Sequence, residues 1–187
     1  MKLINIKETV FGTDCVLLLQ TFDDNDAKKW KALFDKWITL STSMKDFKSR
    51  GINFPEGLSE VAFCLYSGSK KLVSLNGKAS SSFDTFNTST HKAEQIKATS
   101  IKNDLTSFGP TSKWDDLYFL DFYNEGKLDG TFNVFKIPNK FINEHIVNKS
   151  QSFIDQQKEK RRPRFSVKYE IIIPENIKAL TENVKVW

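Results

Sequence analysis

The 187-residue chain carries 28 Lys and Arg against 23 Asp and Glu, a formal net charge of +5, with a pI of about 9.1. Hydrophobic residues make up 39%, including 16 Phe and 4 Trp, which is too much apolar bulk for a disordered chain and suits a single packed domain over residues 1–187. No apolar run approaches the roughly 20 residues that span a bilayer and no signal peptide is visible, so a cytoplasmic protein is expected.

The basic surplus suits a polyanionic partner, although a soluble surface with no such partner has the same balance. Cys15 and Cys64 lie in the apolar runs DCVLLL and VAFCLY, where a reduced thiol packs as a small hydrophobe. Neither has metal-ligand spacing. His91 and His145 are far apart with no Cys/His cluster beside them, which argues against a zinc site. The phosphate-loop pattern GxxxxGK(S/T) is missing, so dependence on ATP hydrolysis is not expected.

In chain order, residues 14–22 (DCVLLLQTF) form a short apolar run that fits a strand or the start of a helix. Asp24 or Asp26 can cap a helix with apolar positions Trp30, Leu33, Phe34, Trp37, Ile38 and Leu40, continuing to about Lys48. Trp30 and Trp37 read as core stripe, with a dimer interface as the alternative. After RGINFPEG, Leu58–Tyr66 reads as a buried helix whose one acid is Glu60. Such a carboxylate needs a partner or an ion, because burying an unpaired charge is costly. It either interacts with the helix dipole or contributes to a metal site.

Strands are expected over Lys71–Leu75, Ser80–Phe86 and Lys92–Thr99, separated by NGK and NTST turn chemistry. A polar loop, IKNDLTSFGPTSK, precedes strands over Trp114–Tyr123 and Thr131–Ile137. Pro138 opens a helix over Asn139–Val147; a strand over Phe165–Ile173 and a short helix around Glu175–Leu180 follow the charge run KEKRRPRFSVK. The expected fold is α/β (α+β), a central mixed β-sheet flanked by helices. Within it, residues from about 56 to 137 would form the core and those from about 138 to 187 a C-terminal segment.

The most informative stretch is DTFNTSTHKAEQIKA, in which Asp84 precedes Gln95-Ile96-Lys97. Alternation on a strand points Gln95 and Lys97 to one face and Glu94, Ile96 and Ala98 to the other. An acid, an amide and a lysine on neighbouring strands match the needs of phosphodiester hydrolysis: metal ligation, charge stabilisation and orientation of water. Mg2+ prefers one or two carboxylates plus water, so Asp84 is the natural anchor and Gln95 offers an amide oxygen. The weak amide calls for a second carboxylate. Glu60 is the leading candidate; Glu94 would serve only if a bulge re-aimed it. An ordinary polar hairpin is the plain alternative.

This pattern resembles a PD-(D/E)XK nuclease core in the variant with Gln in place of the central acid. FPEGLSEVAFCLY, FDTF, QIKATS, DLTSFGP, WDDLYFLDF and RRPRFSVK, in that order over roughly residues 26–170, resemble the small type II restriction endonucleases that cleave GCNGC. Phe83 stands where the core signature has proline, and Gln95 where it has a carboxylate. The resemblance implies a restriction-endonuclease-like core in a bacterial, Mg2+-dependent homodimer that cuts both strands of double-stranded DNA at a short palindrome, with a cognate DNA methyltransferase in the same system. Its catalytic set would be Asp84, Gln95, Lys97 and Glu60, with Asp84, Gln95 and Glu60 on the metal.

Two segments are candidates for DNA contact. Lys160, Arg161, Arg162 and Arg164 surround Pro163, and an arginine fork can read guanine O6 and N7 or simply hold phosphate. Asn103, Asp104, Thr106 and Ser107 follow the catalytic strand and carry donors and acceptors for bases or phosphates. A non-catalytic basic DNA-binding protein, or a repair or structure-specific nuclease with the same core, are the alternative functions.

Overall fold

The computed structural model describes residues 1–48, 52–79 and 82–187. The chain opens with a hairpin of β1 (Lys2–Val10) and β2 (Thr13–Thr21), joined by Phe11 and Gly12, both at positive φ (52° and 80°). That turn has the twist hairpins prefer. The apolar run at 14–22 is thus a strand. Cys15, Leu17 and Leu19 alternate inward with Leu72, Phe83, Phe86 and Ala93 into one hydrophobic cluster.

Helix α1 spans Asp24–Asp46, and its N-cap is Asp23 rather than Asp24 or Asp26. Asp23 accepts from the Asn25 and Asp26 backbone N–H groups at 2.9 and 3.1 Å, while Asp26 answers the Asp23 N–H. This is a capping box. Trp30, Phe34 and Trp37 form the buried stripe, whereas Leu33 and Leu40 are exposed. Trp30 Nε1 donates to the Leu58 carbonyl at 2.7 Å and Trp37 Nε1 to that of Ile52 at 3.0 Å, so both tryptophans belong to the core.

Helix α2 (Glu56–Ser67) ends at Gly68, whose φ of 77° closes the last turn through an N–H to the Cys64 carbonyl. The strands β3 (Lys70–Leu75), β4 (Thr85–Asn87), β5 (Lys92–Thr99), β7 (Asp116–Asp121), β8 (Phe132–Ile137) and β12 (Thr181–Val184) follow, with a two-residue β6 (Thr106–Ser107) between β5 and β7. Eight strands form a mixed sheet in the order β1-β2-β3-β4-β5-β7-β8-β12. β5 and β7 are parallel; the other neighbours run antiparallel. This is the expected mixed sheet with helices. Helices α1 and α2 cover one face through Trp30, Phe34, Ala62 and Phe63 against Ile96, Leu120 and Val134.

Several boundaries differ from the sequence reading. Of the strand expected over Ser80–Phe86, the first two residues lie outside the described ones and ladder pairing as β4 begins only at Thr85. The helix expected over Asn139–Val147 is a short α3 (Asn139–Asn143), followed by β9 (Ile146–Asn148), β10 (Gln151–Ser152) and α4 (Phe153–Lys158). The strand expected over Phe165–Ile173 is only β11 (Arg164–Phe165), after which Lys168–Ile172 winds into a π-helical turn. Its apolar residues Phe165, Val167, Ile171 and Ile172 still enter the core, against Phe108, Leu117 and Phe119 on the other face of the sheet. Residues 173–176 form a turn and 177–180 run without a helix into β12. Among the described residues no helix is long and apolar enough to cross a membrane.

Candidate active site

The β4–β5 ladder is short, pairing Thr85–Asn87 with Lys92–Glu94. Asp84 stands where that ladder stops: its N–H donates to the Glu94 carbonyl at 3.0 Å and its carbonyl accepts from Leu72 N–H at 2.9 Å. Ile96 therefore has no β4 residue opposite it, and its N–H donates instead to Asp84 Oδ2 at 2.8 Å. The Gln95 side-chain amide donates to the same oxygen. A carboxylate and an amide thus meet where pairing between the two strands ends.

Burial pushes the Asp84 carboxyl above its ordinary range, against the opposing pull of the Lys97 and Lys71 ammonium groups and the Ile96 N–H. Lys97 is partly exposed, with Nζ 5.4 Å from the centre of the Phe108 ring. Ile96 packs beneath the helices while Lys97 meets Phe108 on the opposite face of the sheet, so the expected alternation of β5 is realised.

The donor set is thin and oxygen-rich. Asp84 supplies a carboxylate, and a half-turn of the Gln95 amide would present its oxygen in place of nitrogen. Among the described residues no group of three or more His, Cys, Asp or Glu is arranged to hold a metal. Such a set suits Mg2+, which keeps several waters and takes few protein ligands, better than zinc, which wants a complete N/S shell.

Glu60 has a protein partner. Its carboxylate forms an ion pair with Lys71 of β3, with the two side chains 14% and 25% exposed. Burial draws the Lys71 pKa down, while the charges of Asp84 and Glu56 draw it up. Lys71 consequently sits electrostatically between the helix acids and Asp84. Glu56, in the first turn of α2, is exposed, and its charge acts on Asp84 as well. The sequence reading singled out neither Lys71 nor Glu56; the signal available was the i,i+4 spacing of Glu56 and Glu60, which places them on one helix face.

Glu94 lies on the side away from Gln95. It is 2% exposed and accepts from Thr85 Oγ1 at 2.8 Å, and burial raises its carboxyl pKa. The β4–β5 register is unbroken, so no bulge turns Glu94 toward Asp84.

The two candidate DNA segments are joined. β6 pairs antiparallel with β11, matching Ser107 with Arg164 and Thr106 with Phe165, and Phe108 N–H donates to the Pro163 carbonyl at 3.0 Å. Asn103 is exposed, Asp104 and Ser107 are partly so, and Thr106 is buried. Lys160, Arg161, Arg162 and Arg164 are all exposed. Arg161 is engaged, with Nε 3.0 Å from Glu159 and an amino group donating to Gln151 at 3.3 Å. Among the described residues, Arg162 and Arg164 make no ion pair.

Comparison with known proteins bears on this arrangement. The family described as Bsp6I restriction endonuclease matches residues 22–174. The chain belongs to the Bsp6I restriction endonuclease family. The type II restriction enzyme Bsp6I of Bacillus sp. (strain RFL6) is 36% identical over 137 residues, covering 70% of this chain and 72% of that protein. No solved structure matches. The Bsp6I-family stretch contains Asp84, Gln95 and Lys97, Glu60, Lys71 and both strands of the arginine-bearing β6–β11 ribbon, while the β1–β2 hairpin and β12 fall outside it.

Proposed function

We propose that the chain is a Mg2+-dependent type II endonuclease that cuts both strands of duplex DNA at a short palindrome, with GCNGC as the site suggested by resemblance. The observation that carries this reading is the meeting of Asp84, Gln95 and the Ile96 N–H at the end of the β4–β5 ladder, with Lys97 beside it, in a restriction-endonuclease family member. A bound Mg2+ supplies Lewis-acid stabilisation of the phosphoryl oxygens and an acidified water. Asp84 and the amide oxygen of Gln95 would hold it. Lys97 orients the attacking water and donates to the phosphoryl oxygens as negative charge grows on them. Lys71 neutralises Glu60, so Glu60 would join these ligands only if Lys71 released it.

Two copies related by a twofold axis match the symmetry of a palindrome, each cutting one strand, which supports a homodimer. The arginine ribbon brings Arg162 and Arg164 to bases or phosphates. A methyltransferase protecting the same site would accompany such an enzyme in a bacterial cytoplasm.

The test is digestion of plasmid DNA by purified protein with Mg2+. Discrete fragments that vanish with EDTA and with Asp84→Asn are expected. Binding without cutting would support a non-catalytic DNA-binding protein, and scattered nicking a structure-specific nuclease; either outcome contradicts the proposal.

A further inference from the structure

Phe108 sits between the candidate catalytic lysine and the arginine ribbon. Its ring is fully buried and stacks on Phe165 of β11, with centroids 5.5 Å apart and planes 17° apart. Phe153 meets it edge-on at 5.1 Å. Its backbone N–H is tied to Pro163, in the middle of the arginine run. Trp114 lies tilted against it at 5.7 Å, and Lys97 Nζ stands over the ring, 5.4 Å from its centre.

Lysine is a compact charge on a flexible stem, and fixing its rotamers is entropically costly. Among the described residues Lys97 forms no ion pair, although its charge acts on Asp84. The face of a buried aromatic ring attracts an ammonium group and gives it a defined resting place. Because that ring is clamped to Phe165 and Pro163, a shift of the ribbon moves the surface on which Lys97 rests. Closely packed rings transmit such shifts rather than absorbing them.

We infer that Phe108 is a positioning residue which couples seating of the arginine ribbon on DNA to placement of Lys97. Recognition then acts on the cleavage step as well as on binding, since contacts made by the ribbon help to set the reactive geometry. This inference rests on the nuclease reading above and adds a residue that touches neither DNA nor metal.

The experiment compares wild type, Phe108→Leu and Phe165→Leu in single-turnover cleavage of a supercoiled plasmid with Mg2+ and excess protein. Binding of a fragment of that plasmid is measured without metal, and thermal unfolding confirms that each variant is folded at the assay temperature. Phe108→Leu keeps apolar bulk but loses the ring face. We expect its cleavage rate to fall about tenfold or more while the dissociation constant changes by less than about threefold. Phe165→Leu keeps the ring beneath Lys97 and loosens its tie to the ribbon, so a smaller loss of the same kind is expected.

Wild-type cleavage rates in Phe108→Leu, or equal losses in cleavage and binding, would overturn the coupling. Should Phe108→Leu not fold, unchanged cleavage by Phe165→Leu would overturn it. A wild-type protein that binds and never cuts defeats the nuclease reading itself, and the coupling with it; the failure then appears in the wild-type reaction rather than only in the variants.

Discussion

In the proposed nuclease reading Gln95 stands where the signature has a carboxylate, and its amide donates to Asp84 Oδ2. Gln95→Glu would set two carboxylates side by side in a largely buried setting, where like charges oppose ionisation. We expect a lower Tm for this variant without metal. Mg2+ should raise that Tm more than it raises the wild-type value, because a second carboxylate tightens binding and bound ligand stabilises the folded state. Equal Mg2+ shifts in thermal unfolding would show that Gln95 is not at the metal. The placement of Gln95 beside Asp84, with Lys97 on the face of β5 opposite Ile96, was legible in the sequence because strand alternation is a local rule. Lys71 was not, because its significance depends on β3 lying beside β4 and beneath Glu60, relations set by tertiary packing.

The β6–β11 ribbon joins segments 57 residues apart in register, Ser107 with Arg164, a pairing that no local pattern reveals. Sequence identified the two basic and polar segments by composition but not their union. It also read Phe165–Ile173 as one strand, because a short apolar run does not distinguish extended chain from a buried helical turn. Within the ribbon, Arg161 is held by Glu159 and Gln151, whereas Arg162 and Arg164 make no ion pair among the described residues. Arg162→Ala and Arg164→Ala should therefore weaken DNA binding more than Arg161→Ala. A phosphate-contacting arginine lowers the slope of log affinity against log salt by about 0.9, and a base-reading one costs about 1–3 kcal/mol at the cognate site alone. Salt titrations on cognate and unrelated duplexes separate the two roles; the largest loss at Arg161 would contradict this ranking.

At the scale of the whole molecule, the mixed sheet, the helices α1 and α2, and the strands β3, β4, β5, β7 and β8 followed from periodicity and turn chemistry, while β1, β12 and the order of strands did not. The hairpin at the sheet edge shows why. Its turn is Phe11-Gly12 with both residues at positive φ, and phenylalanine does not announce a left-handed position as asparagine or glycine would. β1 and β2 extend the sheet beyond the stretch matched by the family, so the site is built on β3, β4 and β5 at the sheet's centre. The proposed division of labour separates chemistry at the end of the β4–β5 ladder from DNA contact at the ribbon. Lys97→Ala tests it most directly, with Mg2+-dependent plasmid cleavage and metal-free DNA binding measured on the same preparation. Cleavage should fall by at least about a hundredfold, in keeping with loss of transition-state charge stabilisation, while binding stays within about threefold of wild type. Retained cutting, or joint loss of cutting and binding in a folded protein, would contradict the assignment of Lys97 to the chemistry.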